Sequence, residues 1–192
     1  MITFRSDLRP KRRWRRVGWI AATIFVVLIG LVGLRVLAMR SFDRGPLPPK
    51  LSEIEGLPVS LPDGKRVPLR QLIRPGLPTL VSFWASWCPP CQMEAPKIAA
   101  LRTKMGPDRL NLVYLNVRDP SSSRQDLNDF LDSYGMRADS YAVLDDGLIG
   151  KMTNSGNKSI PRTMLFDSAG RPVGTITGYN PIALDRMEGL ID

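Results

Sequence analysis

The chain has 192 residues, two cysteines and no histidine, and its formal net charge is +9 at pH 7. Residues 1–16 hold seven basic residues and one acidic residue, whereas residues 41–192 carry eighteen basic and seventeen acidic residues. The lack of histidine excludes a Cys–His hydrolase, and the near-neutral main part argues against nucleic acid as a partner, since a nucleic-acid-binding domain concentrates positive charge on its folded part.

An uncharged apolar run follows the basic segment 1–16. It covers residues 17–34, and residues 36–39 extend it. A helix needs roughly 20 such residues to cross a bilayer, whereas the apolar region of a secretory signal is about 7–15 residues long. We therefore predict a transmembrane signal anchor over residues 17–39 rather than a cleaved signal peptide. The positive-inside rule predicts that the N-terminus stays in the cytoplasm and that the rest is exported, so the domain is expected on the periplasmic or other extracytoplasmic side of the cytoplasmic (inner) membrane.

Residues 40–55 form the next predicted segment. Gly45–Pro49 contains three prolines, which is typical of a stiff spacer. The folded domain is expected over residues 56–192, which is long enough for one modest hydrophobic core.

The first half of this domain predicts a hairpin, a strand, a helix and a second strand. The Asp-Gly pair within Leu61–Lys65 is typical of a tight turn between two short strands. Thr79–Ala85 is an apolar, β-rich run that suits a buried strand. A helix follows the first cysteine, and Leu110–Val117 is the next strand.

A second helix is expected after this strand. Ser122 or Ser123 would cap it, and apolar residues then recur at helical spacing from Leu127 to Tyr134. Gly135 ends it, because glycine readily adopts the backbone conformation of a helix C-terminus.

The last third of the chain predicts a second hairpin and a closing helix. The strands are Thr163–Phe166 and Val173–Thr177, and the helix begins with the Asn180–Pro181 pair, an N-cap followed by proline at the first position. A β-α-β unit followed by β-β-α indicates an α/β domain with helices on both faces of a mixed sheet.

The two cysteines, Cys88 and Cys91, stand three residues apart. A structural zinc site needs four ligands, which this chain lacks, and haem attachment needs a histidine where Gln92 stands. As a structural staple the pair would close a very short loop, which stabilises little. No metal or cofactor is expected, and a redox-active dithiol or disulfide is favoured over the staple.

The predicted position of Cys88 suits redox chemistry. The strand ends at Trp84–Ala85 and the helix begins near Cys88–Pro89, so unpaired backbone amides would stabilise a thiolate on Cys88. Cys91 lies almost one turn further along the helix and is expected to be the more shielded sulfur.

The segment FWASWCPPCQMEAP, residues 83–96, resembles the thioredoxin superfamily motif, with Pro96 five residues after the second cysteine. The closest similarity is to the exported TlpA/ResA-like thiol–disulfide oxidoreductases and the CcmG-type cytochrome c maturation proteins. The resemblance implies a thioredoxin-like fold over residues 56–192, with a central mixed sheet flanked by helices and an added N-terminal hairpin, preceded by a single transmembrane helix.

The resemblance also assigns individual positions. Ile160–Pro161 matches the cis-proline segment that faces the cysteines, and the Ile160 backbone would pair with the substrate chain. Glu94 matches a buried glutamate that handles protons beside Cys91. Ser82 is a departure, because general thioredoxins carry an aspartate there, so Glu94 would take over that role.

Three further residues are expected at the substrate-binding surface. Pro89 and Pro90 separate the cysteines and tune the stability of the thiolate. Trp87 would shape the docking surface, whereas Trp84 is expected to pack in the core.

The resemblance thus implies a protein-disulfide reductase with a Cys88–Cys91 redox disulfide and a protein substrate. A transmembrane thiol donor of the DsbD/CcdA type would re-reduce it. Two alternatives are a disulfide oxidase or isomerase that uses the same site and a non-catalytic, membrane-tethered interaction module. Candidate substrates are cytochrome c apoprotein, copper-site cysteines and misoxidised proteins.

Overall fold

A computed structural model describes residues 19–33, 47–117, 124–136, 140–144, 146–153, 156 and 158–191. The chain divides into two compact units, Met1–Phe42 and Asp43–Asp192.

The described part of the first unit is a helix over residues 19–33, here α1, all of whose residues are exposed. Within the described residues, no helix is both long enough and apolar enough to cross a membrane. The predicted span 17–39 continues at both ends of α1 into positions outside the described residues. The basic segment 1–16 and linker positions 40–46 also lie outside them.

The second unit alternates strands and helices. Its helices are α2 (Leu51–Ile54), α3 (Pro89–Met105), α4 (Arg124–Ser133), α5 (Asp146–Thr153) and α6 (Pro181–Glu188), with a 3₁₀ turn at Leu69–Leu72. Its strands are β1 (Pro58–Ser60), β2 (Arg66–Pro68), β3 (Thr79–Trp84), β4 (Asn111–Val117), β5 (Ser140–Leu144), β6 (Arg162–Phe166) and β7 (Pro172–Thr177).

These strands form a seven-stranded mixed sheet in the order β2-β1-β5-β4-β3-β6-β7. Strand β3 is parallel to β4 and antiparallel to β6, and β4 is parallel to β5. All six residues of β3 are buried, as expected for an apolar run inside a sheet covered on both faces. The predicted α/β mixed sheet and the added N-terminal hairpin are confirmed.

Local sequence signals account for several of the observed elements. Gly64 lies in the turn between β1 and β2 with a φ of 89°, a left-handed conformation that favours glycine. At the start of α6, the Asn180 side chain accepts a hydrogen bond from the amide of Ala183 at 3.1 Å. Gly135 follows α4 with a φ of 65°. The predicted caps of that helix, Ser122 and Ser123, lie outside the described residues.

The order of elements predicted from the sequence was incomplete. Strand β5 and helix α5 stand between α4 and β6, where no element was predicted, and α2 precedes the first hairpin. Helix α5 has eight residues and includes two glycines, which weaken helix formation. Its side chains Ile149 and Met152 are nonetheless fully buried, so packing against the sheet stabilises a segment with a weak local signal.

Two hydrophobic cores cover the two faces of the sheet. One joins α3, α4 and α6 and contains both cysteines together with Trp84, Leu131 and Leu184. The other joins α2 and α5. Because successive residues of β3 point to opposite faces, Ser82 and Trp84 face α3, whereas Val81 and Phe83 face α5.

The segment at the start of the domain contacts the chain beyond the C-terminal end of β6, whereas the cis-proline segment lies at the N-terminal end of β6. The amide of Leu51 donates to the carbonyl of Gly170 at 2.9 Å, in the turn that follows β6. Pro161 directly precedes the first residue of β6. The chain therefore enters the domain at the end of the sheet away from Pro161.

Candidate active site

Cys88 and Cys91 are joined by a disulfide at the start of α3, with their Cα atoms 5.2 Å apart. Cys88 is the N-cap residue, and its sulfur accepts a hydrogen bond from the amide of Cys91 at 3.2 Å. Pro89 takes the first helical position, where its missing N–H leaves no helical hydrogen bond unmade. The sulfur of Cys88 therefore lies at the helix N-terminus, as predicted from the sequence.

The two cysteines were expected to differ in solvent exposure, and the observed difference is very small. Cys88 is 3% exposed and Cys91 is 2% exposed. Cys91 is the more shielded residue, as predicted, but only by this small margin, because both side chains pack into the same core. What distinguishes Cys88 is its contact with the backbone amide at the helix start.

Three exposed, uncharged residues stand beside Cys88 in the chain. Pro89 and Pro90 are exposed, and Trp87 is 57% exposed. By contrast, Trp84 is buried and stacks on Phe130, with ring centroids 4.4 Å apart. The two tryptophans therefore divide between surface and core, as the sequence predicted.

The Ile160–Pro161 peptide bond is cis, as the resemblance implied. The carbonyl of Pro161 accepts a hydrogen bond from the amide of Gly178 at 2.8 Å, which ties the segment to the end of β7. Ile160 is half-buried and packs against both cores. Since Arg162 pairs with Phe83, this segment lies at the same end of the sheet as the residues that follow β3.

Glu94 is buried one turn along α3 from Cys91, with 2% of its surface exposed. Its carboxylate accepts a hydrogen bond from the Thr163 hydroxyl at 3.1 Å. Burial raises the pKa of Glu94 from 4.5 to about 7, and the bond from Thr163 opposes this increase. Glu94 is therefore a carboxyl that can both accept and release a proton near neutral pH.

A small cavity lies next to this carboxyl. It offers about 10 Å³ to the centre of a water molecule, and its wall includes Ser82, Cys91, Glu94 and Tyr114. This is close to the smallest volume that can hold one water molecule. The second cysteine and the buried acid therefore line one small cavity, beside the serine that stands where thioredoxins carry an aspartate.

Two residues near this site were not singled out from the sequence. Thr163 is fully buried on β6, two residues after Pro161, and contacts Glu94 of α3, which packs on this face of the sheet. Arg162 is 5% exposed on the opposite face of the sheet, where burial lowers the pKa of its guanidinium. Within the described residues, no hydrogen-bond acceptor contacts its Nε. A threonine and an arginine in a short strand carry no local signal for either placement.

Comparison with known proteins shows which family contains this chain. Residues 55–171 match the model of the AhpC/TSA family. The chain is 32% identical over 170 residues to the thiol:disulfide interchange protein HelX of Rhodobacter capsulatus, covering 87% of this chain and 90% of HelX. It is 27% identical over 170 residues to the thiol-disulfide oxidoreductase ResA of Halalkalibacterium halodurans, covering 88% and 89% respectively.

Among solved structures, the chain resembles dsbF of MTB in its mixed oxidised and reduced forms. The TM-score is 0.58 at 20% identity, and the match covers 73% of this chain and 98% of dsbF. At this identity the likeness shows the fold alone, which is the thioredoxin-like α/β fold. The family match and the named relatives show that the chain belongs to the AhpC/TSA family and is a protein thiol–disulfide oxidoreductase.

Proposed function

We propose that this protein reduces disulfides in other proteins through its Cys88–Cys91 pair. The observation that supports this most is the pairing of a cysteine at a helix N-terminus with a second cysteine that shares a cavity with a buried acid. Cys88 is the nucleophile, Cys91 resolves the intermediate, and Glu94 handles the proton.

In the first step, the Cys88 thiolate attacks one sulfur of the substrate disulfide. A bond forms between Cys88 and that sulfur, and the other substrate sulfur leaves as a thiolate that takes a proton from solvent. The hydrogen bond from the Cys91 amide and the positive end of the helix dipole stabilise the attacking thiolate. Trp87, Pro89 and Pro90 contact the substrate, whose chain pairs with the backbone at Ile160–Pro161.

In the second step, Cys91 gives its proton to the Glu94 carboxylate and attacks the sulfur of Cys88. The Cys88–Cys91 disulfide forms, the mixed disulfide breaks, and the second substrate sulfur leaves as a thiolate. Two electrons have then passed from this protein to its substrate. A pKa of about 7 lets Glu94 take and release one proton in each cycle at neutral pH.

We propose that the apolar run of residues 17–39 anchors the protein in the cytoplasmic membrane, with the domain on the periplasmic side. The helix over residues 19–33 supports this with its exposed apolar side chains, including Trp19, Phe25 and Val26, which are 65–73% exposed and need an apolar environment. A transmembrane thiol donor of the DsbD/CcdA type would then return two electrons to the oxidised pair.

The substrate class we favour is a protein in which two nearby cysteines must be kept reduced before they bind haem or copper. Cytochrome c apoprotein is the first candidate, because the resemblance extends to CcmG-type proteins. The exposed side chains of Trp87, Pro89 and Pro90 support docking through apolar contacts, together with backbone pairing at Ile160–Pro161.

Single cysteine variants test the mechanism. Cys91→Ser should accumulate a covalent adduct with a substrate protein, because the intermediate cannot be resolved, whereas Cys88→Ser should form no adduct. Non-reducing electrophoresis followed by reduction distinguishes the two. If both variants keep full activity, the pair does not carry the reaction.

The direction of electron flow can be measured separately. A reduction potential near −270 mV, at the thioredoxin end of the known range, supports a reductase. A value near −120 mV would instead assign the site to a disulfide oxidase. Equilibration of the pair with glutathione or dithiothreitol buffers provides this measurement.

A further inference from the structure

Three hydroxyl side chains lie side by side beneath the second cysteine, on adjacent strands. Ser82 on β3 is in register with Tyr114 on β4 and with Thr163 on β6. All three are at least 98% buried. We call this set the hydroxyl row. It crosses the three strands on the sheet face that packs against α3.

The hydroxyl row faces the Glu94 carboxyl. Thr163 donates a hydrogen bond to Glu94, and Ser82 and Tyr114 line the cavity that Glu94 shares with Cys91. A buried carboxylate is stabilised when a fixed donor meets one of its oxygens. Because Thr163 is held in the middle of the sheet, its hydroxyl fixes the position of this oxygen.

We propose that the hydroxyl row, acting through Thr163, holds the Glu94 carboxyl beside Cys91 and so positions the base for the second thiol step. This inference rests on the proposed function and adds a positioning residue to it. Thr163 does not contact the reacting sulfurs; it acts on them through Glu94.

The hydrogen bond from Thr163 affects the pKa of Glu94, and this effect can be tested. Within the described residues of the cavity wall, the groups that ionise besides Glu94 are Cys91 and Tyr114. Cys88 adjoins them at the N-terminus of α3, and Arg162 lies on the other face of the sheet. Burial raises the pKa of Glu94, and the bond from Thr163 is the contact that lowers it. Removing this bond must therefore raise the pKa further.

The test measures the two thiol steps separately in the full chain, reduced and held in detergent. Reaction with 5,5′-dithiobis(2-nitrobenzoate) releases one thionitrobenzoate when Cys88 attacks and a second when Cys91 resolves the mixed disulfide. The rate of the second release is measured across pH 5.5–9. In the unsubstituted protein it should rise with pH around the pKa of Glu94.

Thr163→Val removes the hydroxyl and keeps the shape of the side chain. We expect the midpoint of the second release to move up by about one pH unit, and its rate at pH 7 to fall about fivefold. The first release should change less than about twofold. Thr163→Ser should restore the profile, and Thr163→Ala provides a second deletion if valine packs poorly.

The matched control is Thr79→Val, which removes another buried, hydrogen-bonded hydroxyl at the far end of β3. It should leave the midpoint unchanged. An unchanged midpoint in Thr163→Val and Thr163→Ala, with pH dependence lost in Glu94→Gln, would overturn the positioning role alone. If Glu94→Gln keeps the pH dependence, the proton-handling role of Glu94 fails, and an absent second release in all proteins would contradict the proposed function itself.

Discussion

Two buried pairs of polar side chains lie near the two ends of strand β3, and they differ in whether they can ionise. At the far end from the cysteines, the Asn111 amide donates to the Thr79 hydroxyl at 3.3 Å. Near the cysteines, the Thr163 hydroxyl donates to the Glu94 carboxylate at 3.1 Å.

The comparison separates structure from chemistry. The first pair joins β3 to β4, and the second joins β6 to α3. Each pair satisfies polar groups that would otherwise be costly to bury. Only the pair with a carboxyl can change charge, and it stands beside a redox-active cysteine. A neutral pair such as Thr79 and Asn111 would suffice for stability, so the acid at position 94 indicates a function.

The largest effect is expected from removing that acid. Glu94→Gln should slow resolution of the mixed disulfide at pH 7 by about 10²–10³-fold, which is typical of a lost general base. Attack by Cys88 should be much less affected. Stopped-flow kinetics of the two steps provide the measurement, and equal slowing of both steps would contradict the assignment of Glu94 to the second step.

The next effect concerns stability and pH. Folding raises the pKa of Glu94 from 4.5 to about 7, so the folded chain binds this proton more tightly than the unfolded chain. The free energy of unfolding of the oxidised protein should therefore fall as pH rises from about 4.5 to about 7, by about 3 kcal/mol. Urea unfolding at pH 5 and pH 8 measures this.

In that experiment Glu94→Gln is the matched comparison, because glutamine has nearly the same shape and does not ionise. The variant should lose most of the pH dependence and should be the more stable protein at pH 8. The same slope in both proteins would place the responsible group elsewhere.

The smallest effect is expected at the neutral pair. Thr79→Val should cost about 1–2 kcal/mol of unfolding free energy, because the Asn111 amide loses its acceptor. This cost should be the same at pH 5 and pH 8, and both thiol steps should keep their rates. A loss that depends on pH would show that the two ends of β3 are not independent.

Much of the fold could be predicted from local signals. The Asp63–Gly64 turn, the Asn180–Pro181 helix start and the apolar β3 run each predict their own conformation, and each is confirmed. Strand β5 and helix α5 could not be predicted in the same way. Two glycines weaken α5 locally, and the burial of Ile149 that stabilises it depends on a sheet assembled from distant segments.

The residues of the active site also divide into those that local sequence predicts and those that it does not. The spacing of Cys88 and Cys91 and the proline that follows Cys88 are local features, so their place at a helix start was predictable. The bond between Thr163 and Glu94 joins residues 69 positions apart, and it depends on the register of β6 against β3 and on the packing of α3 against the sheet. The burial of Arg162 depends on the same register.

The attachment of Leu51 to Gly170 has a consequence for access. Strand β6 separates this point from Pro161, and its five residues span roughly 17 Å. The cysteines and the point where Leu51 joins the sheet therefore lie at opposite ends of the domain. A partner that docks at the disulfide would not compete for space with the segment held at Leu51.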